Sequence, residues 1–232
     1  MNELELTGKV RTHIEQLDEP RVALHRDAVK PFRALRAAAA KQGLNLMPFS
    51  AFRDFQQQVE IWNRKFRGER PLYDRDGNAR DHAVLNEEQL VEAILVWSAV
   101  PGASRHHWGT EIDVYDRAAL PEGYRVKLLP EEYLPGGVFE RLADWLSANL
   151  ERFDFFRPYD QDRGGVYPEP WHISYAPVAQ RAQETLTTEV IAGALHDADV
   201  LGKHIVLERL PEIYRQYVAN VGTPAATGTR TT

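Results

Sequence analysis

His106, Asp113 and His172 could together hold one metal ion, and Glu169 stands three residues before the last of them. The first two lie in the run Ser104-Arg105-His106-His107-Trp108-Gly109-Thr110-Glu111-Ile112-Asp113, the others in Glu169-Pro170-Trp171-His172. Two imidazoles and one carboxylate leave a fourth tetrahedral position open to water. A further carboxylate beside that water could take its proton and later hand it to a leaving amine. That is the inventory of a zinc hydrolase. His106 and Asp113 are seven residues apart, a weak signal alone, and the tandem His106-His107 leaves open which ring binds. A strand that brought His172 beside Asp113 would close the set. His107 is expected to pack or to stand behind the ligands, because neighbours in an extended segment point to opposite faces. Glu111 shares a strand face with Asp113, so it could sit near the metal, near a substrate ammonium or in a rim salt bridge.

The elements that must position these groups can be read from periodicity. Ala28, Phe32, Leu35 and Ala39 recur at helical spacing, with Pro31 suited to a first turn and Gly43 to a stop. Leu44 to Phe49 reads as a short strand leading into Ser50-Ala51-Phe52-Arg53, and Gln56 to Phe66 as a helix. Asn86 with Gln89 makes a capping box for a helix running to about Ala99, ended by Pro101-Gly102. Thr110 to Tyr115 alternates as a strand, with Ile112 and Val114 on one face and Glu111, Asp113 and Tyr115 on the other. Asp116 to Gly137 reads as a rim loop, and Val138 to Leu150 as an amphipathic helix. Phe153 to Tyr159 and Trp171 to Tyr175 supply further strands, and helical stretches follow over 178–196 and 203–219. Helices lead and short strands intervene, so the expected class is α+β: a small antiparallel sheet carrying the site, flanked by helices. The expected organisation is an N-terminal extension over 1–27, a domain over 28–178, C-terminal helices over 179–221 on that domain, and a disordered tail over 222–232.

Composition narrows the chemistry. The 232 residues contain no cysteine, which excludes thiolate zinc fingers, disulfides and a nucleophilic thiol. Any metal must sit on histidines and carboxylates. The net charge of -6 offers no basic stripe for nucleic acid, and no stretch is apolar enough to cross a membrane. Asp74-x-Asp76-x-Asn78 resembles the start of a calcium loop, but Ala79 and Leu85 stand where such a loop needs Gly and Glu. Calcium is therefore not expected there.

Ser104-x-His106-x-x-Gly109-x-x-x-Asp113 and Glu169-x-Trp171-His172 resemble the paired motifs of the LAS metallopeptidases. That family covers D-alanyl-D-alanine carboxypeptidases and dipeptidases of the vancomycin-resistance type, L,D-carboxypeptidases and some phage endolysins. Ser50-Ala51-Phe52-Arg53 followed by Gln58 is similar to its substrate-side block, and the three blocks stand in the family's order. The resemblance implies a fold of the hedgehog and D,D-peptidase type. It implies one zinc ion on His106, Asp113 and His172, and Glu169 as catalytic base. Arg53 would approach the scissile carbonyl or the substrate carboxylate, a task for its planar fork. Gln58 and Ser104 would hydrogen-bond the C-terminal D-residue, and Trp171 and Tyr175 would shape the pocket floor. Two departures stand out: Phe52 replaces the usual Tyr, and Glu111 stands where the family usually has a small residue.

The implied substrates are peptidoglycan stem peptides or muropeptides. The first residues show no apolar signal segment, which points to a cytoplasmic protein, or a periplasmic one if an export signal was removed. A cytosolic enzyme could trim recycled tetrapeptides without harming precursors, so L,D-carboxypeptidase activity is the expectation. D,D-carboxypeptidase or D,D-dipeptidase activity is the alternative. A non-catalytic hedgehog-like zinc module is the reading from another class, and Glu169 and Arg53 argue against it. Oligomeric state is left open.

Overall fold

Apolar alternation along Glu111–Asp116 fixes the centre of the molecule. A computed structural model of the chain describes residues 1–75 and 77–224. It opens with helix α1 (Glu3–Leu6), the hairpin β1 (Ile14–Asp18) and β2 (Arg21–His25), helix α2 (Arg26–Ala40), strand β3 (Leu46–Ser50) and helix α3 (Phe55–Phe66). A small ribbon, β4 (Leu72–Tyr73) and β5 (Ala79–Arg80), precedes helix α4 (Glu87–Leu95). Strand β6 (Glu111–Asp116), helix α5 (Glu140–Asn149), and strands β7 (Phe155–Phe156) and β8 (His172–Tyr175) follow. Helices α6 (Ala176–Thr185), α7 (Thr188–Leu195), α8 (Lys203–Glu208) and α9 (Leu210–Ile213) come last.

The main sheet is antiparallel with order β3-β6-β8-β7. Ile112, Val114 and Ile173 are fully buried on one face, where they meet Phe32 and Leu35 of α2 and Leu142 and Leu146 of α5. Burial of such side chains contributes about 2 kcal/mol each. A one-residue slip would instead drive Glu111 and Asp113 into that core, so the register is strongly specified. A second core joins α3 and α4 to the C-terminal helices through Trp62, Trp108, Val91, Ala179, Leu195 and Val206. The α+β class expected from periodicity is the one observed.

Several boundaries differ from expectation, each for a local reason. The start of a domain at residue 28 falls inside α2, and the hairpin before it is part of the core through Leu17, Val22 and Leu24. Short strands with few apolar residues hide this in the sequence. Pro31 lies inside α2 rather than in its first turn, because His25 caps the helix by accepting the Asp27 N–H at 3.1 Å. The stretch 178–196 is two helices: Leu186 is extended and fully buried, and the Thr187 hydroxyl accepts from the Val190 N–H to start α7. The stretch 203–219 breaks at Arg209, with Pro211 in the first turn of the next helix, and ends in a π-helical turn, Tyr214–Val218. Asp74 accepts from the Asn78 N–H at 2.8 Å in a local turn. Asp76 of the calcium-like run, and residues 225–232 of the expected tail, lie outside the described residues.

Candidate active site

The sheet brings the two motif blocks together by strand pairing. Asp113 on β6 is the direct partner of His172 on β8, and Glu111 is the partner of Ser174. Directly opposed residues share a face, so Glu111, Asp113, His172 and Ser174 form one polar patch opposite the aliphatic core. His106 arrives from a 3₁₀ turn, Arg105–Trp108, that Gly109 ends in a left-handed conformation, φ +67°. A Cβ at Gly109 would stand 2.7 Å from the His25 backbone nitrogen, so only glycine fits.

His106 and His172 present different nitrogens. His106 Nδ1 donates to the Ala51 carbonyl at 2.7 Å, which leaves Nε2 facing Asp113 Oδ2 at 3.6 Å. His172 Nε2 is 2.8 Å from Glu111 Oε2, which leaves Nδ1 facing Asp113 Oδ1 at 3.2 Å. One ligand atom from each of His106, Asp113 and His172 lies within 4.8 Å of the others. Ligand atoms around tetrahedral zinc, about 2 Å from the ion, stand roughly 3.3 Å from one another. Asp113 Oδ1 and His172 Nδ1 are buried and, although they face one another, neither makes a well-formed hydrogen bond among the described residues. Buried polar atoms are seldom left so, and a cation among them would satisfy both. Two nitrogens and one carboxylate oxygen suit zinc.

Glu111 occupies neither the rim nor a place open to substrate. It is fully buried and accepts from His172 Nε2, from Ser174 Oγ at 2.6 Å and from Thr110 Oγ1 at 3.0 Å, with Arg105 Nη2 at 3.2 Å. Burial alone would raise its pKa, but Arg105, His172 and Ser174 hold it well below the usual carboxylate range. Arg105 is anchored in turn: it stacks 4.6 Å over Trp108 and donates to Gln183 of α6 at 2.7 Å. His107 packs behind the ligands: Nδ1 donates to the Arg53 carbonyl at 2.7 Å and Nε2 accepts from the Gly102 N–H at 3.1 Å. Burial pushes its pKa down to about 3 and that of His106 to about 4.

Glu169 Oε2 lies 3.0 Å from His172 Nδ1, beside the open side of the trio. Burial raises the Glu169 pKa and Asp113 adds to this, against the pull of His172 and Arg53. For Asp113, burial works upward but His106, His172 and Arg53 outweigh it. His172 would be lowered by burial, yet the three carboxylates around it carry it well above its ordinary value.

These groups line a cleft of about 720 Å³, together with Arg53, Ser104, Trp171 and Tyr159. Arg53 is held by two donated bonds, to Gln58 Oε1 at 2.8 Å and to Ser50 Oγ at 3.3 Å. Gln58 does not reach the cleft as expected of a substrate contact. It is fully buried, and its amide is used between Arg53 and the Ala99 carbonyl, so it holds the arginine instead. Tyr175 is not in the cleft either. It lies three residues after His172 on β8, hence on the opposite face, and its ring meets Phe155 at 5.5 Å.

Three residues of the site escape a reading of the sequence. Arg105 stands inside the motif, but nothing in its spacing announces a buried partner for Glu111. Tyr159 meets His172 edge to face at 5.0 Å, and burial raises its pKa to about 12. Lys65 lines the cleft and donates to Ser98 Oγ at 2.6 Å. Only Lys65 carries a signal that could have found it: it lies seven residues, two helical turns, after Gln58 on α3.

Residues 21–178 match the sequence profile of the family described as VanY, D-alanyl-D-alanine carboxypeptidase. A protein of Haemophilus influenzae described only as uncharacterized is 40% identical over 121 residues, which are 51% of this chain and 92% of that protein. A D-alanyl-D-alanine carboxypeptidase of Enterococcus faecalis is 28% identical over 141 residues, 60% of this chain and 42% of that protein. Among solved structures, a mutant of the vancomycin-resistance D,D-pentapeptidase VanY from a VanB-type resistance cassette, in complex with Zn(II), is similar in fold. It shares 25% identity with a TM-score of 0.50, over 74% of this chain and 82% of that one.

Proposed function

The chain belongs to the VanY family of D-alanyl-D-alanine carboxypeptidases, zinc-dependent hydrolases, and from that premise we propose that it releases the C-terminal residue of peptides ending in D-Ala-D-Ala, with zinc on His106, Asp113 and His172. The observation that carries the site assignment is the convergence of one ligand atom each from His106, Asp113 and His172 within 4.8 Å in the cleft, where Asp113 Oδ1 and His172 Nδ1 are buried without a well-formed hydrogen bond among the described residues. When bound, zinc supplies Lewis acidity and makes water a stronger acid.

The chain's own residues do the rest. Glu169, with its pKa raised by burial, takes the proton of the attacking water and returns it to the departing amine. Arg53 offers a guanidinium pre-aligned by Gln58 and Ser50, aimed at the peptide's carbonyl or terminal carboxylate. Ser104 and Trp171 wall the cleft around the terminal residue. Glu111 keeps the His172 ring from turning. A non-catalytic zinc module would have no use for this combination.

The family description and the D,D-pentapeptidase relative favour D-Ala-D-Ala ends. Trimming of tetrapeptides in the cytosol rests on the look of the chain's first residues rather than on any feature of the cleft. Incubation of the zinc-loaded protein with murein pentapeptide and tetrapeptide, followed by mass spectrometry, separates the cases. Release of D-Ala from the pentapeptide is expected. Preference for the tetrapeptide would make the enzyme an L,D-carboxypeptidase, and no release from either would overturn the proposal.

A further inference from the structure

The geometry points to a second anion-binding point in the cleft, formed by Lys65 and Ser98, and we infer that the substrate carries a free carboxylate upstream of its terminal one. This rests on the carboxypeptidase reading above. Lys65 and Ser98 both line the cleft, and the ammonium donates to the Ser98 hydroxyl at 2.6 Å. An ammonium has three donors, so two remain for a ligand. No carboxylate lies within ion-pair distance of Lys65 among the described residues, whereas Arg67, Arg75 and Arg209 each have one.

The surrounding charge makes the case stronger. Arg53 also lines the cleft without an ion pair among the described residues, and Arg70 stands at the rim nearby. Of the acids that line the cleft, Asp113 and Glu169 face His172 and the metal position, and Glu131 makes no ion pair with Lys65 among the described residues. Burial lowers the Lys65 pKa to about 8, Arg70 and Arg53 lower it further, and only Glu169 works the other way. An uncompensated, desolvated cation that faces an open cleft is costly unless a ligand's negative charge completes it.

Among the cations that line the cleft, Arg53 and Lys65 are desolvated and outside any ion pair among the described residues, and each is completed by one anion. The terminal carboxylate of a carboxypeptidase substrate accounts for one. Lys65 stands seven residues after Gln58, the residue that holds Arg53. That is about 10 Å along the helix axis, the reach of roughly three residues of extended peptide. The second carboxylate therefore belongs to a side chain or an unamidated α-carboxyl within about three residues of the C-terminus. Stem peptides whose acidic groups are free would fit, and their amidated counterparts would not.

The test uses two synthetic peptides ending in D-Ala-D-Ala that differ only in an upstream carboxylate or carboxamide. The wild-type enzyme is expected to show about tenfold lower KM for the free carboxylate, the worth of one charge-assisted hydrogen bond. Lys65→Met should reduce that ratio below twofold, and Ser98→Ala should reduce it partly. Calorimetric binding of both peptides to zinc-loaded Glu169→Gln protein gives the same ratio without turnover. A ratio near one in the wild type, or a ratio that survives Lys65→Met, overturns the inference. An equal loss for both peptides in Lys65→Met also overturns it, because Lys65 would then hold the terminal carboxylate. D-Ala release from the carboxamide peptide by the wild type tests the carboxypeptidase reading alone.

Discussion

His106 and His172 meet edge to face with ring centroids 4.9 Å apart, yet they turn different nitrogens toward Asp113. The difference is imposed by what each ring touches on its far side: a backbone carbonyl of Ala51 for His106, a carboxylate of Glu111 for His172. Acceptors of this kind fix tautomer and orientation, and their loss typically weakens a metal site 10- to 100-fold.

Glu111→Gln should therefore lower zinc affinity by about 10- to 100-fold. Competition with a chromogenic chelator measures this, with circular dichroism as a check on folding. Unchanged affinity in a folded variant would reduce Glu111 to a buried counter-charge for Arg105. Cadmium–nitrogen couplings in the labelled wild type give a second check that needs no variant: the metal should couple to Nδ1 of His172 and Nε2 of His106.

Glu169→Gln should keep zinc and lose about 10²- to 10⁴-fold in kcat, the usual worth of a positioned proton carrier. Stopped assays with a D-Ala-D-Ala peptide and metal analysis of the same sample report both numbers. A variant that stays active would place the base elsewhere.

Arg53→Lys keeps a charge but loses the planar fork that Gln58 and Ser50 orient. We expect a fall in kcat/KM of at least tenfold, a loss on the order of 1.4 kcal/mol. Gln58→Ala should give a smaller loss in the same direction, since it frees the arginine without removing it.

Acidification should destabilise the fold through His25, which is not one of the metal-facing residues. Burial holds its pKa near 4, against 6.5 for the free side chain, with Asp27 opposing and His13 and Arg26 assisting. Between these values the unfolded chain binds more protons than the native one, so stability rises with pH across that window. The contribution is complete above about 6.5 and is lost as pH falls through 4. His25→Asn, which can still cap α2, should flatten the decline in melting temperature between pH 7 and pH 4. A residual slope from His13, His106 and His107, also lowered by burial, is expected.

Removal of the metal should lower the melting temperature. Zinc bound to the native state alone stabilises by about 2.7 kcal/mol at a free concentration a hundredfold above its Kd. Scanning calorimetry with and without chelator measures the shift, and no shift would argue against a site at His106, Asp113 and His172.

Much of the site is legible in the sequence because strands impose a strict period. Alternation along residues 110–115 is enough to put Glu111 and Asp113 on one face, and the same rule on β8 takes Tyr175, three residues from His172, out of the pocket. An aromatic beside a motif invites a functional reading that the period contradicts. Gln58 is conspicuous in the sequence but its role is not: spacing shows an amide near an arginine, not that both ends of the amide are already taken. Glu111 is undecided in the sequence for a similar reason. Its partners Arg105 and Ser174 are six residues before it and 63 residues after it, and only the fold joins them. The N-terminal hairpin reads as an extension because five-residue strands carry few apolar positions, and what those positions touch is decided by tertiary packing.

The bond between Arg105 and Gln183 reaches past the end of the family match at residue 178. A helix that looks like an appendage is thus tied, through one guanidinium and one carboxylate, to the orientation of a metal-facing imidazole. Across relatives, positions 105, 111 and 183 should vary as a unit: where the buried acid gives way to a small residue, the arginine and its glutamine anchor lose their reason to persist. A chain cut after residue 178 would be a poor miniature of this enzyme, since it would keep every motif residue and still lose the brace behind His172.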